Sequence, residues 1–336
     1  MSGIKTAGIS SKTYKTRFQY YLRHGDRPWQ FLIISMSVLV LALIVAIGWL
    51  LWQQSADSRA MFGWNFILPT QTGNWDPVNS NFDSWPFIYG TLLTSLVAIL
   101  MAVPISIGVA VFLAELSPGW LRGPLGVMIE LLAAIPSVVY GLWGIFVFLP
   151  IVITPLGNIM ENSLGKVPLL QYFFAGPIPI SGSSRLAAAL ILAIMIIPTI
   201  TAVTRDVFFA IPRSQREASL ALGATQWETI SKVLIPYGSS GILGAAILGL
   251  GRALGETMAV TMVIGNSIEG TLSLLRPGYT MSSIIANEFA EAVTKIHSQA
   301  LIEVGLILFI MTLLLNMIAR LLVWRVARQT PLEVRA

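Results

Sequence analysis

Six stretches of the chain stay apolar for long enough to cross a bilayer, at about 31–52, 87–116, 125–150, 186–211, 241–265 and 299–324. About 20 mostly apolar residues in helical form span about 30 Å of hydrocarbon, so the pattern predicts an all-α integral membrane protein with six transmembrane helices. Phe31 to Trp52 carries no charge; its length and its charged leader favour a retained anchor over a cleaved signal. The polar segments between the spans are unequal. Residues 53–86 are rich in Trp, Asn, Asp and Pro, 151–185 hold Gly–Pro and Ser turn signals, and 280–297 reads as an amphipathic helix. These segments read as ordered caps or short re-entrant pieces, and the sequence has no repeat of solenoid length. The expected organisation is a basic segment 1–30, a transmembrane domain 31–325 containing a cytoplasmic segment 213–236, and a tail 326–336.

Charge orients the spans. Lys5, Lys12, Lys15, Arg17, Arg23, Arg27, Arg122, Arg205, Arg213, Arg216, Lys232, Arg320, Arg325, Arg328 and Arg335 fall on one side of the predicted topology. Arg59, Lys166, Arg185, Arg276 and Lys295 fall on the other. Lys and Arg concentrate on the cytoplasmic side, so both termini are expected there. The leader interleaves Tyr14, Phe18, Tyr20, Tyr21 and Trp29 with its basic residues. It reads either as an interfacial helix on anionic membrane lipid or as a solvated tail that fixes topology. Topology accounts for the net charge of +5, and no nucleic-acid partner is expected.

Composition narrows the classes further. With 55% hydrophobic and 11% charged residues the chain is neither a disordered nor an ordinary soluble protein. It has no cysteine, which removes disulfides and thiolate metal sites, and its two histidines, His24 and His297, are too far apart to suggest a local ligand pair. No metal, bound cofactor or catalytic residue is expected.

Spans two, three and four each hold an interior proline, Pro104, Pro136 and Pro198. These either bend helices that line a path or are tolerated as membrane-helix prolines commonly are. Gly238, Gly241, Gly244, Gly249, Gly251 and Gly255 crowd the fifth span, the last two spaced as a small-xxx-small seam. The segment between spans four and five exceeds what a bilayer turn requires. Leu220, Trp227, Ile230, Val233 and Leu234 recur at helical spacing on either side of Gly223, which predicts two short amphipathic helices with a bend between them. Their apolar ridge either docks on something in the cytoplasm or packs back on the spans.

Within that segment, Glu217-Ala218-Ser219, Gly223 and Val233-Leu234-Ile235-Pro236 resemble the EAA loop of ABC importer permeases, spacing intact and three positions conservatively replaced. The resemblance implies a type I ABC importer permease in which Glu217, Ala218, Gly223 and Pro236 help form the joint to a separate ATPase. Nothing in the chain suits ATP itself. The sole Gly-Lys pair, Gly165-Lys166, has Met160 and Val167 where a phosphate-wrapping loop needs glycine and a hydroxyl. ATP and Mg are therefore expected in the partner, and the chain is not expected to be an enzyme.

The fifth predicted span contains Gly249-Leu-Gly-Arg252-Ala-Leu-Gly-Glu256-Thr-Met-Ala-Val260, with Arg252 near its midpoint. An arginine at a helix centre costs about 2.5–3.5 kcal/mol to insert, so it faces the protein interior or a wet cavity. Glu256 lies one turn on, within ion-pair reach. Either Arg252 meets an anion in transit, its guanidinium fork matching phosphate oxygens, or the pair is structural. The run resembles the PstC-type subunit of phosphate-specific ABC permeases, as do Phe87-Ile-Tyr-Gly-Thr-Leu-Leu, Ala134-Ile-Pro-Ser-Val-Val-Tyr-Gly-Leu-Trp-Gly144 and Ile284-Ile-Ala-Asn-Glu-Phe-Ala-Glu-Ala292, over about residues 62–325. The resemblance implies phosphate as cargo, Arg252 and Glu256 as transport-linked residues, and a multi-pass place in a bacterial cytoplasmic membrane. The implied partners are a PstA-type permease, a PstB-type ATPase dimer and a PstS-type phosphate-binding protein. Import of another oxyanion such as sulfate or molybdate, a phosphate-sensing scaffold and an ion-driven carrier are the alternatives.

Overall fold

A computed structural model describes residues 26–68, 75–168, 170–268 and 271–329. Most of the basic leader and the end of the tail lie outside these residues. The chain divides into two compact units, Met1–Gln53 and Gln54–Ala336. The first contributes the described part of a single apolar helix, Asp26–Gln54.

Among the described residues six helices are long and apolar enough to cross a membrane: Trp29–Gln54, Trp85–Leu116, Ser137–Lys166, Arg185–Ala210, Gln226–Gly255 and Lys295–Arg325. The number matches the sequence pattern, and two positions differ from it. The apolar run at 125–150 does not form one helix. Its first part belongs to a separate helix, Gly119–Ala133, and span 3 begins at Ser137. Pro136 explains the division, because its ring pushes the preceding residue out of the α region and Pro136 itself is extended, with ψ 139°. It therefore starts a helix, whereas Pro104 and Pro198 lie inside theirs.

The fifth span is also displaced. It begins at Gln226, inside the expected cytoplasmic segment, and stops at Gly255, with a further short helix at Met258–Val263. The second of the two expected short helices is thus the first turn of the span.

Span 4 is the axis of the second unit. Two thirds of its apolar window is buried, against 6% for span 6. Ala98 and Ala102 of span 2, Phe148, Leu149 and Ile153 of span 3, and Ala245 and Ala253 of span 5 join Ala187, Ile191, Met195, Ile196 and Ile200 of span 4 in one cluster. Small residues allow this close approach where lipid offers no hydrophobic drive for helix association. Added side-chain atoms at Gly241 and Gly249 would strike Val207 and Ile200 of span 4. Gly244, Gly251 and Gly255 face open space, so the expected Gly251–Gly255 seam is not closed by any of the described residues. Ser106 of span 2 donates to the Ile197 carbonyl of span 4 at 3.2 Å, close to both interior prolines.

At one end of the bundle, Phe66, Trp75, Phe82 and Phe87 pack with Tyr279, Met281, Ile284 and Leu301 into a second apolar cluster. The helix Ala56–Phe62 is tied to span 6 by Lys295 to Asp57 at 2.6 Å and by a hydrogen bond from Ser58 to Glu303 at 2.5 Å. Trp75 donates to Glu288 at 2.7 Å, and Glu288 lies 3.1 Å from His297. Burial pushes the Asp83 carboxyl up, opposed by the backbone N–H of Trp85. The expected amphipathic helix at 280–297 is shorter, Met281–Glu288, and opens with a capping box at Thr280.

Candidate functional site

Two helix ends and one passing helix build the surroundings of Arg252. The Gly119–Ala133 helix ends early because of Pro136, which leaves the carbonyl of Ala133 outside the helical ladder. Span 4 passes alongside and presents Thr199, the residue after Pro198. Span 5 then brings Arg252 in its last turn, not at a helix midpoint. The half-buried guanidinium donates from Nη1 to Thr199 Oγ1 at 3.0 Å and to the Ala133 carbonyl at 3.4 Å. A cation at a helix C-terminus complements the partial negative charge there. The Tyr140 hydroxyl donates to the neighbouring Leu132 carbonyl at 2.9 Å. Among the described residues both Arg252 hydrogen bonds run through Nη1, so Nε and Nη2 retain donors without a protein acceptor there.

Glu256 is placed differently from expectation. The helix breaks at Gly255, and Glu256 is extended, with φ −69° and ψ 123°, so the helical i,i+4 geometry is lost. Among the described residues it forms no ion pair with Arg252. Its Oε1 accepts from the Ala259 N–H at 3.2 Å and its carbonyl from Ser282 at 2.8 Å. The carboxylate thereby serves the start of the Met258–Val263 helix. Discontinuous helices of this kind occur in membrane transporters where backbone lines a cavity.

The expected coupling residues lie at the other end of span 5. Glu217 and Ala218 are exposed on the helix Arg213–Ala221. Gly223 has φ +88°, and an added Cβ would meet nothing within 4 Å; the glycine is required by backbone conformation alone. Thr225 then opens span 5 through a capping box with Glu228. Ser219 Oγ and Thr229 Oγ1, 2.9 Å apart, tie the two limbs together. Pro236, which has no N–H, follows the π-helical stretch Ile230–Leu234 and is exposed.

The apolar ridge divides between the two fates open to it. Ile230 and Leu234 are buried against Ala110, Val111, Phe208 and Ile211. Leu220 and Trp227 point outward, 51% and 70% exposed, and Leu222, outside the expected ridge, joins them at 89%.

Sequence reasoning found Arg252 because a charge stands out in an apolar run. Thr199 and the Ala133 carbonyl left no such mark, since a threonine after a proline and a helix end become partners of Arg252 only through tertiary packing.

Several solved structures share the fold. A chain of a bacterial ABC transporter involved in the import of the acidic polysaccharide alginate superposes with a TM-score of 0.58 at 14% identity, covering 93% of this chain and all of that one. A chain of the inward-facing MetNI methionine ABC transporter gives 0.51 at 19% identity, covering 72% of this chain and 96% of that one. Residues 105–329 match the family described as binding-protein-dependent transport system inner membrane component, and the chain belongs to that family of multi-pass membrane permeases. Among its curated relatives is the phosphate transport system permease protein PstC of Mesorhizobium japonicum, 45% identical over 88% of this chain and 89% of that protein. PstC of Haemophilus influenzae is 45% identical over 85% and 89%, and PstC 2 of Mycobacterium tuberculosis 38% identical over 89% and 91%.

Proposed function

We propose that this chain is a PstC-type permease subunit of an ATP-driven importer of inorganic phosphate in a bacterial cytoplasmic membrane. It forms the translocation path with a PstA-type companion, receives phosphate from a PstS-type binding protein and is driven by a PstB-type ATPase pair that holds the ATP and Mg. The names of the relatives and the match to the family support the transport reading. One observation carries the site: Arg252 sits where two helices end beside span 4, held through a single nitrogen, with its remaining donors directed to no protein acceptor among the described residues. A permanently charged fork so held suits an oxyanion that must bind and then leave.

The exposed ridge of Leu220, Leu222 and Trp227 is the surface for the ATPase, with both termini on the same side. Glu256 acts by fixing the start of the Met258–Val263 helix beside Arg252. The chain itself hydrolyses nothing.

Arg252→Gln, reconstituted with the companion, ATPase and binding protein, tests the reading. Uptake of labelled inorganic phosphate should be abolished while the complex still purifies intact. Unchanged uptake at normal protein level would remove the anion role. Offering sulfate- and molybdate-loaded binding proteins to the same vesicles separates phosphate from the other oxyanions.

A further inference from the structure

The residue beside the exposed Glu217 is bound on every side. Arg216, on the helix Arg213–Ala221, donates from Nε to Glu115 Oε1 at 2.9 Å, and its Nη2 lies 2.8 Å from the same oxygen. Nη1 donates to the Ile211 carbonyl at 2.8 Å and Nη2 to the Phe208 carbonyl at 2.7 Å. Only 18% of the arginine side chain and 14% of the glutamate side chain are exposed.

These partners belong to different spans. Glu115 lies on the π-helical end of span 2, Phe112–Leu116. Phe208 is in the last turn of span 4, and Ile211 is its C-cap. A guanidinium at a helix C-terminus satisfies carbonyls that the ladder leaves over and complements the dipole. One planar group therefore fastens the ends of two spans to the segment that carries the exposed ridge. Arg216 and Glu115, with Arg122, Phe209 and Arg213, line a cavity of about 360 Å³, so the ion pair bridges an open part of a joint whose other side is the apolar packing of Ile230 and Leu234 on Phe208 and Ile211.

We propose that Arg216 is the positioning residue through which movement of the cytoplasmic segment reaches spans 2 and 4. The inference rests on the reading of this chain as an ATP-driven permease. Glu217 and its exposed neighbours meet the ATPase, and Arg216 passes the displacement inward. A planar fork suits this role better than an ammonium, because three acceptors in fixed directions must be held at once.

The test uses the assembled complex in proteoliposomes, with Arg216→Gln, Arg216→Lys and Glu115→Gln in this chain. Retention of the ATPase, hydrolysis stimulated by the loaded binding protein, and inorganic phosphate transported per ATP are measured. Arg216→Gln should keep the ATPase bound yet lose at least tenfold in phosphate per ATP. Arg216→Lys should recover part of that loss, and Glu115→Gln should lose only a few-fold because both carbonyl bonds survive. An unchanged transport ratio in Arg216→Gln overturns the proposal. So does a parallel fall of hydrolysis and transport with a lowered melting temperature in all three variants, which describes a structural staple. If Arg216→Gln does not accumulate, the other two decide: both matching wild type in phosphate per ATP overturns the proposal, and a lowered ratio with the ATPase retained supports it. A wild-type complex that holds no ATPase would refute the functional reading itself.

Discussion

Replacing Thr199 with Val removes one hydroxyl and tests whether the position of Arg252 matters as well as its charge. The bond from Arg252 to Thr199 is 3.0 Å and the one to Ala133 3.4 Å, so the threonine is the principal anchor. Hydrogen bonds to charged groups are worth about 1.5–3 kcal/mol, and the half-exposed setting reduces this to about 1–2 kcal/mol of lost positioning. At about 1.4 kcal/mol per factor of ten, transport should fall about 5- to 30-fold. The assay is the initial rate of labelled phosphate uptake into proteoliposomes at saturating loaded binding protein. The maximal rate should drop while the concentration of binding protein giving half-maximal rate stays put, and Thr199→Ser should restore the rate. Wild-type uptake in Thr199→Val would show that Arg252 needs no tether. A loss as complete as that of Arg252→Gln, accompanied by a lower melting temperature, would show that the valine disturbed packing instead.

Gly223→Val should impair ATPase retention through backbone strain alone, at about 1–2 kcal/mol for a side chain in the left-handed region, whereas Gly223→Asn, which tolerates that region, should largely keep it; co-purification reads both. Gly249→Val should lower the melting temperature of the solubilised chain, the new methyls driving into Ile200 at a cost of about 1–3 kcal/mol. Gly251→Ala, facing open space, should leave that temperature unchanged, checked in the same melt. The hydrogen bond from Lys295, with that from Gln299, holds the Asp57 carboxyl below its usual value. Its contribution is present above the unfolded value near pH 4 and fades as pH falls through the lower folded value. Melting curves of Asp57→Asn between pH 2 and 6 should therefore show a flatter acid limb than wild type.

The spans were legible because a hydrophobic run of membrane length is seldom anything but a helix in lipid, and a membrane-length helix covers most or part of each of the six. Their ends were not. Apolarity marks what can lie in lipid, and it is silent on where a helix stops inside that layer. Pro136 could be read as a bend in a continuous helix or as the start of a new one, and the structure takes the second. Thr225 and Glu228 spell a capping box, a local signal that would have moved the start of span 5 to Gln226. The ion pair between Arg252 and Glu256 assumed unbroken helix, and the extended backbone at Glu256 removes that premise. Gly223 needed no tertiary information, since a glycine between two helical patterns already points to a left-handed turn. The Arg216–Glu115 link could not be read at all, because its partners are a hundred residues apart and each looks like an ordinary charge at a helix end.

Span 5 runs as one 30-residue helix from Gln226 to Gly255, with Trp227 near its first end and Arg252 near its last. Twenty-five residues at 1.5 Å each separate them by about 38 Å. On the proposed reading this helix, with no loop in it, is a lever: a tilt imposed at the tryptophan is carried through the π-helical stretch Ile230–Leu234 to the guanidinium. On that reading, timing between fuel consumption and cargo release is set by geometry, and splicing a flexible Gly-Ser pair into the middle of this helix should let the motor turn while the gate stays idle.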